Sequence, residues 1–304
     1  MLHLRDHLAF LASISGIGNR TIFRLISALK KREIEWSNFW VLSSSQYGKV
    51  GLTERQISSI LESRKEHTPY SYKNWLKIRE MRVIGFDDAE YPPLLKKSDN
   101  FPAILFAKGT PMSWKNVPVV AVVGARNMTA YGEQVTSALA GGLSRCGATI
   151  VSGFMYGVDC AAHRAALESN GSTVGVLGYG HDFVYPENQK DLMQQWLEQG
   201  MTFISPFAPS VAPKRGNFPA RNRVVAAMSH AVVVTEAAEK SGSLITAGYA
   251  AQEGRVVCAV PGPITNPYTR GTRELINQGA VLVGGADEVL LEIEASYPDL
   301  LDKI

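Results

Sequence analysis

Apolar positions along the chain change their period near residue 118. Before residue 80 they recur at helical spacing, as Ile22, Phe23, Leu25, Ile26 and Leu29 and again as Leu52, Ile57, Ile60 and Leu61, and no segment alternates as a strand does. Residues 1–80 therefore read as a small helical domain. Between Met81 and Val117 short extended pieces are broken by Tyr91-Pro92-Pro93, Phe101-Pro102 and Thr110-Pro111. These prolines forbid helix continuation, so the stretch is expected to be a connector laid against the next domain. From Pro118 onward short β-branched runs alternate with helical stretches. The strands expected are Val119–Val123, Thr149–Ser152, Thr173–Leu177, Thr202–Ser205, Ala231–Thr235, Val256–Val260 and Ala280–Val283. Between them the expected helices include Gly132–Cys146, Cys160–Glu168, Asp191–Gln199, Leu244–Glu253 and Arg273–Gln278. Such alternation calls for parallel strands, right-handed crossovers and helices on both faces. The fold class expected is α/β: a doubly wound, mostly parallel sheet over residues 81–304, preceded by the helical domain.

Composition narrows the class. Apolar residues make up 45% and charged residues 19% of the 304, which excludes a disordered chain and leaves ample material for a packed core. The longest apolar stretch, Val117–Ala125, is far short of the ~20 residues that span a bilayer, and Asp6 interrupts any signal-peptide reading. No membrane association is expected. Cys146, Cys160 and Cys258 are too scattered for a thiolate metal site and cannot all pair, so buried, reduced thiols in the cytoplasm are the reading. The net charge of +3 hides an asymmetry. Residues 1–80 hold 13 Lys and Arg against 7 Asp and Glu, whereas residues 81–304 hold 18 against 21. Inside this acidic part, no carboxylate occurs between Glu198 and Glu236, yet Lys214, Arg215, Arg221 and Arg223 fall within ten residues.

In a doubly wound sheet the ligand lies beyond the carboxyl ends of the strands, so the loops that follow them carry the candidate chemistry. The first, Gly124-Ala125-Arg126-Asn127, lacks the second glycine a dinucleotide pyrophosphate needs; Arg126 offers instead a planar cation for a phosphate oxygen, or a structural salt bridge. In the second, the glycines at Gly153 and Gly157 permit close backbone passage. Asp159 and His163 follow as a helix cap and its neighbour one turn on, read as architectural because no third metal ligand is evident. After the fourth strand, Pro206–Pro219 is long for a βα connection. It leads through Lys214, Arg215, Gly216 and Phe218 to Arg221, Asn222 and Arg223. Cations that track phosphates beside a ring that stacks on a base are the two parts of single-strand binding. The alternative makes Phe218 a core plug and the arginines helix-surface residues. Ser241, Gly242 and Ser243 open a helix, where they either receive an anion through backbone amides or simply cap it. In the N-terminal domain Gly16-Ile17-Gly18 is either a phosphate-contacting hairpin or a tight inter-helix turn. No catalytic constellation, metal cluster or cofactor loop emerges.

These residues resemble the DprA/Smf (DNA-processing protein A) family. The resemblance is carried by Val123-Gly124-Ala125-Arg126, Ser152-Gly153 with Gly157-Val158-Asp159 and His163, Gly178 with Asp182, Tyr185-Pro186 and Asn188. It continues through Phe218-Pro219 with Arg221-Asn222-Arg223, Glu236-Ala237, Ser241 through Ala247, and Ala259-Val260-Pro261-Gly262. It implies a Rossmann-like core, a leading domain similar to SAM or helix-hairpin-helix modules, and a homodimer. It further implies a protein that binds and protects incoming single-stranded DNA and helps load the recombinase RecA during natural transformation; the lack of a catalytic constellation adds the expectation that it is not an enzyme. By motif position, Arg126 and the Arg215-to-Phe218 segment would receive the DNA backbone. Met155-Tyr156 departs from the small-basic pair of many members, and the sequence ends at Ile304 without their winged-helix extension. The competing expectation is a nucleotide sensor or an enzyme similar to the lysine-decarboxylase-like phosphoribohydrolases, with Glu236 as acid or base; their Pro-Gly-Gly-x-Gly-Thr loop is absent here.

Overall fold

A computed structural model describes residues 2–301. Six helices open the chain: α1 (Leu4–Ser13), α2 (Asn19–Lys31), α3 (Trp36–Phe39), α4 (Ser44–Lys49), α5 (Glu54–Glu66) and α6 (Pro69–Ile78). Three of them start where a hydroxyl residue caps the first turn and the third helical residue reaches back: Ser43 with Gln46, Thr53 with Gln56, and Thr68 with Ser71. Each reciprocal pair satisfies two backbone donors that helix geometry leaves without a partner. The helices enclose a core of Leu8, Phe10, Leu25, Phe39, Tyr47 and Ile60, which is continuous with Ile104 and Phe106 of the following region.

The segment expected as a connector does more than lie against the next domain. Its extended pieces become β1 (Arg82–Gly85) and β2 (Ile104–Gly109), with the short α7 (Pro93–Lys96) between them. β1 pairs antiparallel with β2, and β2 pairs antiparallel with the edge of the main sheet. The prolines fall outside the strands, where they would remove ladder donors, and Pro93 opens α7.

The remaining elements are β3 (Val119–Val123), α8 (Ala130–Arg145), β4 (Thr149–Ser152), α9 (Val158–Glu168), β5 (Thr173–Val176), α10 (Lys190–Glu198), β6 (Thr202–Ser205), α11 (Asn217–Ala227), β7 (Ala231–Val234), α12 (Gly242–Gln252), β8 (Val256–Ala259), α13 (Arg270–Asn277), β9 (Val281–Leu282), α14 (Ala286–Ser296) and α15 (Pro298–Leu301). All seven expected strands are present, each within two residues of its expected ends. α11 differs: it begins at Asn217, so the basic segment read as loop is partly helix.

The sheet has nine strands in the order β1-β2-β6-β5-β4-β3-β7-β8-β9, parallel from β6 to β9. β3 lies between β4 and β7, with parallel pairing on both sides. Here the winding reverses, and helices on opposite faces diverge to leave a crevice. Burial follows the two-residue period of a strand. Val119, Ala121 and Val123 enter the core on one face of the sheet, and Val120 and Val122 enter the core on the other. A strand buried on both faces reads as an uninterrupted apolar run, as Val119–Val123 does.

Candidate nucleic-acid interface

At the carboxyl ends of β3 and β4, beneath the start of α12, lies a cavity of about 450 Å³. Loops carrying Arg126 and Gly153 form one side, and Phe218, Arg221 and Asn222 of α11 form another. Ser241, Gly242 and Ser243 complete the wall from the first turn of α12. The positions on α11 follow helical spacing: 218, 221, 222 and 225 share one face, and all four line the cavity. Segments far apart in sequence thus converge where the chain reverses its winding.

Glycines allow the approach. Gly157 adopts φ +76°, and a Cβ there would overlap the carbonyls of Ala125 and Arg126. Its missing side chain therefore lets the Arg126 loop lie directly on the start of α9. Gly153 is just as confined, because a Cβ would overlap both the Asp159 carboxylate and the Arg221 guanidinium. The loop bearing Gly153 is held from behind by His163, which is fully buried. Its Nε2 lies 2.7 Å from the Gly153 carbonyl and its Nδ1 2.7 Å from Thr173 Oγ1. Burial lowers its pKa to about 4, so the ring is neutral, with Nε2–H donating to the Gly153 carbonyl. His163 thus holds the Gly153 loop in place; Asp159, read with it as architectural, instead lines the cavity.

The cations expected from sequence separate into four groups. Arg126 is exposed at the rim, and among the described residues no carboxylate pairs with it. Lys214, Arg215 and Gly216 are exposed just ahead of α11 but do not line the cavity. Arg221 is turned inward: only 5% exposed, it donates to the Val176 carbonyl and, through Nε, to Asn222 Oδ1 at 3.0 Å. Arg223 leaves the site and stacks its guanidinium over Tyr249, 4.7 Å from the ring centroid. Gly16 and Gly18 remain in the helical domain, where Gly18 precedes α2 and Gly16 accepts from Gln56 Nε2 at 3.1 Å.

Phe218 is neither fully exposed nor a core plug. The ring is half-buried, packed against Gly178 and 5.6 Å from the Tyr185 ring, and it also lines the cavity. Below it, burial pushes the Asp159 carboxyl above its ordinary range, opposed by the charge of Arg221, by hydrogen bonds from Ser152 and Met155, and by the charge of Arg126. Burial pulls the Arg221 guanidinium down, and Asp159 opposes that shift. The cavity therefore carries positive charge at its rim and at a helix start, with one carboxylate on its floor.

Glu236 is occupied elsewhere. It is fully buried, and its carboxylate accepts from Thr129 N at 2.8 Å, Thr129 Oγ1 at 2.6 Å and Asn266 Nδ2 at 3.0 Å. It clamps the start of α8 to the loop before α13 and does not line the cavity. Sequence reasoning missed Asp159 as a cavity residue and did not single out Tyr268, which also lines it. Asp159 carried a signal in its place after a glycine loop, but Tyr268 reaches the cavity from a distant turn and carried none.

Comparison with known proteins places this geometry in context. Residues 82–294 match the family described as DNA recombination-mediator protein A. Protein Smf of Escherichia coli is 38% identical over 260 residues, covering 84% of this chain and 69% of that protein. Across relatives the alignments cover from 52% to 71% of their own lengths. The X-ray structure of DNA processing protein A from Streptococcus pneumoniae is similar with a TM-score of 0.79 at 31% identity, over 96% of this chain and 99% of that one. DNA processing protein A from Helicobacter pylori, solved for its single-stranded DNA binding mode, is similar with a TM-score of 0.61 at 29% identity, over 72% and 97% of the two chains.

Proposed function

The chain belongs to the DNA recombination-mediator protein A family, and on that premise we propose that it binds single-stranded DNA in the cavity between β3 and α12. The observation that carries this reading is the placing of a free cation, a helix start and a half-buried ring around one opening. Phosphates lie at the rim against Arg126 and the first turn of α12, where the positive end of the helix dipole adds to the attraction. Lys214 and Arg215, exposed beside the opening, follow the strand as it leaves. Phe218 takes the face of a base, a contact worth ~1–3 kcal/mol and tolerant of sequence. The bound strand is thereby protected and presented to the recombinase RecA, and two copies of the chain work as a homodimer in the cytoplasm. The protein acts by binding, without catalysis; Glu236, the acid or base of the enzymatic alternative, spends its carboxylate on Thr129 and Asn266.

Fluorescence anisotropy over a salt series tests the site. Arg126→Ala should weaken binding about tenfold and lower the salt slope by roughly one, because one phosphate contact and its released counterion are lost. Phe218→Ala should weaken binding by about five- to a hundredfold, the equivalent of ~1–3 kcal/mol of stacking, with the slope unchanged. Unaltered affinity in both variants would remove the cavity from consideration. RecA filament assembly on single strands, timed with and without the protein, tests the mediator role.

A further inference from the structure

We propose that Asp159 makes the cavity selective for one unpaired base, guanine, by accepting the two N–H groups of its Watson–Crick edge. The inference rests on the cavity being the single-strand site and goes beyond it by naming which base the floor reads.

A carboxylate is an unexpected group in an anion-binding opening. Arg126 at the rim and the first turn of α12 attract phosphate, but a phosphate seated deeper would meet Asp159, a like charge in desolvated surroundings. The two preferences are reconciled if the backbone stays at the rim and something rich in N–H donors reaches the floor. A nucleobase does this, held by its face on Phe218 and presenting its edge inward.

The floor pairs an acceptor with a donor. The Asp159 carboxylate and the Arg221 guanidinium both occupy the space that a Cβ on Gly153 would need, and each acts on the other's charge, so the two groups are neighbours. An ionised carboxylate accepts two parallel N–H bonds side by side. Guanine offers N1–H and the N2 amino group next to each other, with O6 beside them as an acceptor for a guanidinium. Thymine offers one N–H between two acceptors. Adenine and cytosine each offer an amino group with a ring acceptor beside it. A site built on hydrogen bonds rejects the analogue that leaves one of its buried groups unpaired. If Asp159 served only as counter-ion to Arg221, its removal would weaken every strand alike.

The test compares oligonucleotides of equal length: alternating dT and dG, alternating dT and deoxyinosine, and dT alone. Deoxyinosine keeps N1–H and O6 but lacks the N2 amino group. The wild-type protein should bind the dG strand about five- to tenfold more tightly than the deoxyinosine strand, and Asp159→Asn should close most of that gap while still binding dT. Equal wild-type affinity for dG and deoxyinosine strands would overturn the proposal and leave single-strand binding intact. So would an Asp159→Asn protein that binds all three more weakly by one common factor. Absence of binding to all three strands would instead overturn the single-strand reading, and this inference with it. Should Asp159→Asn fail to fold, the deoxyinosine comparison on the wild-type protein still decides.

Discussion

Gly153 sits where two charged side chains press on the backbone, and a single methyl group there would displace either Asp159 or Arg221. Gly153→Ala should therefore lower stability by ~1–3 kcal/mol, as overpacking does, and weaken single-strand binding because the floor of the cavity shifts. Urea unfolding and anisotropy on the same preparation measure both. His163 behind it sets a dependence on pH, shared with His230. Both are buried, and burial lowers each pKa from 6.5 to about 4. The unfolded chain takes up these protons below pH 6.5 and the folded chain does not, so the contribution to stability is complete above pH 6.5 and declines as pH falls toward 4. At pH 5 the loss should be roughly 2 kcal/mol for each histidine. Urea midpoints at pH 7 and pH 5 would show it, and His163→Asn should flatten the profile. The glycines and the histidine were legible in the sequence; that Gly153 has two charges against it was not, because Arg221 comes from 68 positions further along.

Among the elements, α11 and α12 decide the site. α11 escaped sequence reading for two reasons. Pro219 is its third residue, and proline in a first turn removes only an amide that has no helical partner, so a residue read as a loop end belongs to the helix. The helix is also enclosed: Arg221 and Val224 through Ala227 are all buried, which erases the polar face that marks an amphipathic helix. β1 and β2 escaped for a related reason, since the prolines around them were easier to read than the short runs between. α12 was legible from Ser241 and Ser243, and Ser241 does cap it, accepting from Ser243 N at 3.3 Å. Capping and cavity lining turn out to be compatible. Gly242 separates the two roles, since a Cβ there meets nothing within 4 Å. Gly242→Ala should leave the unfolding free energy unchanged or raise it by up to ~1 kcal/mol through helix propensity. It should also weaken single-strand binding, because the added methyl stands between the amides and a phosphate. A variant that is both more stable and equally tight would show that the backbone of this turn does not touch DNA.

Across the whole molecule, the helical domain and the sheet are joined by specific contacts as well as apolar packing. Asn19, at the start of α2, donates to the Phe101 carbonyl at 2.6 Å and accepts from Ala103 N at 2.7 Å, beside a core that runs from Leu8 to Phe106. Asn19→Ala should cost ~1–2 kcal/mol, since a part-buried donor and acceptor lose their partners, and should increase proteolysis between Ile78 and Arg82. Single-strand affinity should not change, because no residue of this domain lines the cavity.

The sequence alone determined the parallel sheet and most of its helices, because strands buried on both faces must be continuous apolar runs and amphipathic helices must repeat near 3.6 residues. It also determined which loops carry glycine, arginine and hydroxyl groups, because those residue types have few other uses at the ends of strands. Only the tertiary structure decided which cations are free. Arg126, Arg221 and Arg223 are equivalent as letters, but one stands at a rim, one lies beneath the cavity and one rests on Tyr249. That sorting depends on which helix face meets which strand end, and side-chain direction is settled by packing between segments that sequence spacing does not connect.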